Sequence, residues 1–263
     1  MLWVQLVTGA LISAVLIFCI AGTRKLTKLE HPATVFSYGS SFAFYFHAFF
    51  RVAILALCIA ILVIEVFALG TKMFSYYTIW NFILQTIYYV WALKYQFSTA
   101  QSRNEPVATT KETHYLNTLF DVCFSNSILV VGVFWGFLYH PGMHWYGYFE
   151  HGGNTLAFII EFVSNHFLIS RRSWFFTIFF AAIYSIFIWI SYATWLHGVW
   201  PYFFLSMDTP YAPLWYIGIF GGHVLMYGVA LGFSRVKEHC LPAMIPVAVS
   251  HIKPQVNNPI SYV

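Results

Sequence analysis

Residues 46–70 read FHAFFRVAILALCIAILVIEVFALG, and from Val52 through Ile64 nothing charged or amide-bearing interrupts the run. About 20 apolar residues in helical conformation cross the hydrocarbon core of a bilayer, so this stretch reads as a membrane-crossing helix. Arg51 near its start is expected to lie close to an interface, where a long side chain can reach the headgroups. The same reasoning applies to Lys94.

Six more stretches read the same way, near 2–22, 75–96, 115–139, 151–170, 173–196 and 212–234. The whole chain agrees. Its 263 residues are 60% hydrophobic, 21% aromatic and only 8% charged, with a mean hydropathy of +0.69. Soluble domains carry about 25% charged residues, so this composition cannot coat a globule in water. The expectation is an all-α polytopic transmembrane bundle of about seven spans, occupying residues 1–235. A polar C-terminal tail follows over 236–263 with Pro242, Pro246, Pro254 and Pro259. Met1 to Gly22 lacks the basic leader of a cleaved signal and is followed by Arg24, Lys25 and Lys28. It therefore reads as a retained first helix.

The formal charge of +4 comes from 13 basic and 9 acidic residues. That is too dilute for a nucleic-acid footprint. Its information lies in its placement. Arg24, Lys25 and Lys28 follow the first span, Lys94, Arg103 and Lys111 the third, Arg171 and Arg172 the fifth, and Arg235, Lys237 and Lys253 the seventh. With seven spans these clusters share one side, opposed by Lys72 alone. The positive-inside rule then puts the N-terminus outside and the C-terminus in the cytosol. Aromatic residues such as Tyr76, Trp145, Trp195, Trp200 and Trp215 gather near the outer ends, as an interfacial belt does. The four cysteines have no CxxC pairing, so neither a zinc site nor a disulfide framework is expected. His140, His144 and His197 lack metal-ligand spacing.

Polar residues inside a span are costly to keep and point to function. At about 100° per residue, Thr78, Asn81 and Gln85 share one helix face, and His151, Asn154, Glu161 and Asn165 share another. With the third and fifth spans both running outside to inside, Thr78 and His151 are expected at similar depth. A hydroxyl beside an imidazole can act as nucleophile and general base toward an acyl carbonyl. The bland alternative is that Thr78 caps its helix and His151 is satisfied by water or a carbonyl. His223, after Gly221-Gly222, either faces the same cavity or hydrogen-bonds between helices. Asp121, Ser125, Asn126 and Ser127 read as packing hydrogen bonds. No chain of partners is evident for Glu65.

Four stretches carry a family resemblance: Tyr77-Thr78-x-x-Asn81-x-x-x-Gln85, Val131-Gly132-Val133-Phe134-Trp135, His151-Gly152-x-Asn154-Thr155, and Trp195-x-His197-x-x-Trp200-Pro201-Tyr202. Over about 75–235 the chain resembles the androgen-induced family of multi-pass membrane proteins, whose best-known members hydrolyse fatty acid esters of hydroxy fatty acids. It is also similar to the rolling-stone proteins of myoblast fusion. The resemblance implies Thr78 as nucleophile and His151 as its partner. From their placement, Asn154 or Asn81 is expected to orient the pair or donate to the oxyanion, and Asn81, Gln85, Asn154, His223 and Trp200 are expected toward the substrate. The hydrolases look like six-span proteins, so the first helix here is an addition. Trp80-Asn81 and Asn154 look closer to the rolling-stone branch.

The expected function is intramembrane hydrolysis of a lipid ester, with no cofactor and no metal. Membrane lipids are its surroundings, nucleic acid is no partner, and residues 1–70 are available for assembly with membrane proteins. The alternative is a non-enzymatic scaffold or adhesion protein of the rolling-stone type. Residues 212–234 contain no lysine, which sets a retinal protein aside. No internal repeat suggests a transporter.

Overall fold

The structure, a computed structural model, describes residues 1–26, 40–99, 111–165 and 167–240. Lys28, Arg103, Lys253 and the four tail prolines lie outside the described residues. Among the described residues the fold is helical throughout, with no strand. The helices are α1 (Leu2–Leu26), α2 (Ser41–Leu69), α3 (Tyr77–Ser98), α4 (Lys111–Val133), α5 (Trp145–Tyr148), α6 (Asn154–Ser164), α7 (Trp174–Ala193) and α8 (Ala212–Cys240). A π turn at Phe134–Leu138 extends α4, and another at Phe149–Gly153 joins α5 to α6. Helix α8 runs to Cys240, so the first residues of the expected 236–263 tail are helical.

Five of these segments are long and apolar enough to cross a membrane: Leu2–Thr23, Ser41–Ser75, Lys111–Leu138, Trp174–Ala193 and Ala212–Cys240. The expected spans near 75–96 and 151–170 are helical over Tyr77–Ser98 and, through the π turn, from Trp145 to Ser164. These two are the polar ones. They carry Asn81, Gln85, Asn154 and Glu161, all buried.

The packing is inverted relative to a protein in water. Phe42 and Phe67 on α2 are 80% and 86% exposed, while Arg51, Asn81, Asp121, Asn126 and Glu161 are completely buried. Lipid solvates the outer rings, and the polar groups turn inward because hydrocarbon offers them no partner. At the centre, α4 packs against α3, α6, α7 and α8. An aromatic cluster fills the interior there. Phe120 stacks on Phe124 and Phe162, and Tyr88 leans on Phe120 and Phe158.

Arg51 departs from expectation. It does not reach an interface but lies fully buried, paired with Glu161. Its Nη1 also donates to Gln96 Oε1 at 2.9 Å, and Gln96 Nε2 donates to the Phe44 carbonyl. Tyr88 donates to the same carboxylate oxygen at 2.9 Å. The pair joins α2 to α6 with α3 between them, a satisfaction available only once the helices have met. Helix α6 stops at Ser164, because Asn165 turns extended. Lys237 of α8 then donates to the Phe162 carbonyl in the last turn of α6 and to the carbonyls just beyond it, Asn165 at 2.6 Å and Phe167 at 2.8 Å, as a cation suits a helix C-terminus. Asp121 holds the following loop, accepting from Ser170 N at 3.1 Å.

Candidate functional site

Helix α3 begins at Tyr77, and its N-cap residue Tyr76 makes no side-chain cap. The donor that a cap would satisfy is met from outside the helix instead. Tyr77 N donates to the Tyr202 hydroxyl at 3.1 Å. Thr78 and Tyr202 both line the space beside this terminus. Thr78 therefore sits in the first turn without capping it, and its side chain faces a cavity.

That cavity has a volume of about 300 Å³ and lies between α3, α4, α7 and α8, under the loop carrying Tyr202 and Phe204. Its walls include Val130, Val133, Phe134, Ala181 and Ile219, and its polar groups come from Tyr77, Thr78, Tyr184, Ser185, Tyr202 and His223. Among the described residues no charged side chain lines it. A small set of fixed polar groups in an apolar cavity is the usual composition of a small-molecule site.

His223 is held in a defined tautomer. Its Nδ1 lies 2.7 Å from the Ile219 carbonyl, which can only accept, so Nδ1 carries the proton. With no carboxylate among the described residues lining the cavity to pair with an imidazolium, the ring is neutral, so Nε2 is the acceptor and Tyr77 donates to it at 2.8 Å with the rings edge to face. The result is a neutral imidazole whose basic nitrogen points toward the cavity through a tyrosine hydroxyl.

His151 is elsewhere. It lies in the π turn before α6 and stacks on Phe134, with centroids 3.6 Å apart and planes 1° from parallel. Phe134 is itself a cavity wall, so its ring stands between His151 and the space beside Thr78. Among the described residues no hydrogen bond joins His151 to Thr78, and His151 Nδ1 is buried without a partner. Contacts between the parallel helices give the depth. Gln85 meets Asn154, Tyr88 meets Phe158, and Phe82 meets Phe149. These offsets bring His151 level with residues 81–84, about one turn deeper than Thr78. Loop charges fix where a helix sits only to within about a turn, and they carry no sign of a π turn.

That π turn is tied to the other. Trp135, beside Phe134, donates from Nε1 to the His151 carbonyl at 2.8 Å, an oxygen the widened turn has released. A side chain at Gly153 would meet the Phe149 ring at 2.5 Å, so the glycine admits that ring.

The remaining expected residues form a deeper polar layer. Asn154 donates to Gln85 at 3.4 Å and accepts from Thr155 N at 2.7 Å, while Thr155 reaches the Ser127 carbonyl at 3.0 Å. Asn81 is fully buried, and neither its Nδ2 nor its Oδ1 has a partner. Trp200 does not line the cavity. It stacks on Tyr192 at 4.1 Å, and its Nε1 is buried and unpartnered. The structure thus brings together Thr78 and His223, and separately Gln85 and Asn154. Sequence reasoning missed Tyr77, whose phenol is indistinguishable from an interfacial aromatic until a partner is seen. Tyr202 stood in a quoted motif, but nothing local marks it as the residue closing the α3 terminus. Comparison with protein-family models, curated proteins and solved structures finds no match for this chain.

Proposed function

We propose that this protein is a membrane-embedded lipid-ester hydrolase in which Thr78 is the nucleophile, the activity expected of the androgen-induced family that the chain resembles. One observation carries the reading. The Thr78 hydroxyl and a neutral, acceptor-ready imidazole, His223, open on the same uncharged cavity of about 300 Å³. Acyl chains find matching walls there, and the surrounding bilayer supplies them.

In this reading Thr78 Oγ attacks the ester carbonyl. Its proton passes to His223 Nε2 through the Tyr77 hydroxyl, which gives up one proton as it takes another. The imidazolium protonates the departing alkoxide as the tetrahedral intermediate collapses to an acyl-threonine. Water then releases the acid, with the same imidazole as base. Geometry supports His223 as the base, whereas the family resemblance points to His151. His151 is assigned here to holding Phe134 as a wall.

The test is labelling of detergent-solubilised protein by an alkyl fluorophosphonate, comparing wild type with Thr78→Ala, His223→Ala and His151→Ala. Labelling lost in the first two and retained in the third is the expected outcome. Loss in His151→Ala with retention in His223→Ala returns the base to His151, with Phe134 swung aside. A folded wild type that never labels moves the protein to the scaffold reading.

The proposal includes seven passes, an outer N-terminus and a cytosolic C-terminus. Helix α3, at 22 residues, is about 33 Å long, and the 20 residues from Trp145 to Ser164 span about 30 Å. Both lengths match the hydrocarbon thickness. Their polar groups face protein, as a polar span requires. The compartment is a plasma membrane or endomembrane such as the endoplasmic reticulum.

A further inference from the structure

At its inner end the cavity is bounded by Thr78 on α3, Leu129 and Val130 on α4, and His223 on α8. Asn81 follows Thr78 by three residues and Tyr77 by four. Asn126 precedes Leu129 by three and Val130 by four. Those spacings put each amide on the same helix face as its cavity-lining neighbours, one turn deeper. Tyr88 against Phe120 fixes the antiparallel register of α3 and α4, and it brings Asn81 and Asn126 to the same level.

Both asparagines are completely buried, and all four of their amide atoms lack a hydrogen-bond partner. Gln85 Nε2, a turn below Asn81, is buried and unpartnered as well. Each such group costs about 1–3 kcal/mol if left unsatisfied, so a cluster of them under a cavity is a cost without a structural return. The cluster presents three amide nitrogens that donate, two amide oxygens that accept, and no charge. Among the described residues the buried cations are committed elsewhere, Arg51 to Glu161 and Lys237 to the end of α6.

We propose that Asn81 and Asn126 form a receptor for an uncharged lipid end group that both donates and accepts hydrogen bonds, the glycerol hydroxyls of a monoacylglycerol being the type. A carboxylate could accept from the amide nitrogens, but it leaves both amide carbonyls unpaired and meets no cation, so a hydroxyl is the better match. This names the substrate class of the hydrolase site, sets it apart from the carboxylate-ended esters cleaved by the best-known members of the family the chain resembles, and rests on the hydrolase reading for the chemistry, though not for the binding.

Binding is therefore measured without turnover, on the full-length Thr78→Ala protein in nanodiscs. A monooleoylglycerol carrying a photoreactive diazirine in its acyl chain is crosslinked in competition with unlabelled lipids. Monooleoylglycerol is expected to compete at concentrations at least tenfold below those of an oleoyl ester ending in a carboxylate. Asn81→Leu and Asn126→Leu, each close to isosteric, are expected to weaken its binding five- to tenfold, the worth of about one hydrogen bond. Equal competition by the two lipids overturns the receptor, and that comparison needs no variant to fold. Unchanged binding in both leucine variants overturns it too, and leaves the amides as holders of structural water. Fluorophosphonate labelling of wild type separates the two claims. Labelling without end-group preference keeps the hydrolase and removes the receptor, whereas preference without labelling keeps the receptor and removes the hydrolase.

Discussion

Replacing Arg51 by methionine removes a buried cation that holds both Glu161 and Gln96. Its Nε and Nη2 hold Glu161, and its Nη1 holds Gln96 Oε1. Without it, the hydrogen bonds left to Glu161 among the described residues are those from the Tyr88 hydroxyl at 2.9 Å and the Asn165 amide at 3.4 Å. The carboxylate would then be an uncompensated charge in a completely buried position, and Gln96 would lose its acceptor contact. Breaking one side of such a pair costs about 3–5 kcal/mol. At roughly 2–4 °C per kcal/mol for a chain near this size, the melting temperature should fall by about 10 °C. The protein carries its own reporter. Cys19, Cys58 and Cys123 are buried and Cys240 is exposed, so a thiol-reactive fluorophore reads unfolding above a constant background of one site. Glu161→Gln should be comparably harmful, since it leaves the guanidinium unpaired. The double variant Arg51→Met with Glu161→Gln should be milder than the two losses added together, because no charge remains buried alone. Single variants that melt within 2 °C of wild type, or a double variant showing full additivity, would refute the view that a desolvated ion pair ties α2 to α6.

Lys237→Met should lower stability by about 2 kcal/mol in the same assay, since the carbonyls of Phe162, Asn165 and Phe167 lose their donor where α6 ends. Tyr77→Phe removes the proton link to His223 and should slow fluorophosphonate labelling by about 100-fold, within the usual range for general-base catalysis, without a matching loss of fold in thermal melts. Phe134→Ala should leave the labelling rate of folded protein unchanged if His223 is the base. Faster labelling would mean that removing the ring had admitted His151. For the seven-pass arrangement, a cysteine at Thr71 should react with an impermeant maleimide from outside intact cells, and one at Ser170 should react only after permeabilisation.

The membrane class was legible from composition alone, because a chain so poor in charge has one solvent available to it. The apolar runs at 46–70 and 173–196 gave helices without any tertiary information. So did the face shared by Thr78, Asn81 and Gln85, since helical periodicity is a property of the chain. Arg51 was misread for an instructive reason. A long cation near the end of an apolar run looks the same whether it reaches headgroups or a carboxylate on another helix 110 residues away. Glu161 sat on a face already identified as polar, yet nothing in the sequence named its partner.

What the sequence determined is therefore what single helices can carry: their length, their apolar shell and the few polar residues that must turn inward. Which of those inward residues meet was decided only by packing. Thr78 shares a cavity with His223 rather than with His151 because a π turn and the Phe134 ring intervene. Likewise Asn81 and Asn126, on separate helices, reach one level through the register of α3 against α4. Contacts between helices depend on rotation and offset, to which loop charges and hydrophobic runs are blind over a single turn.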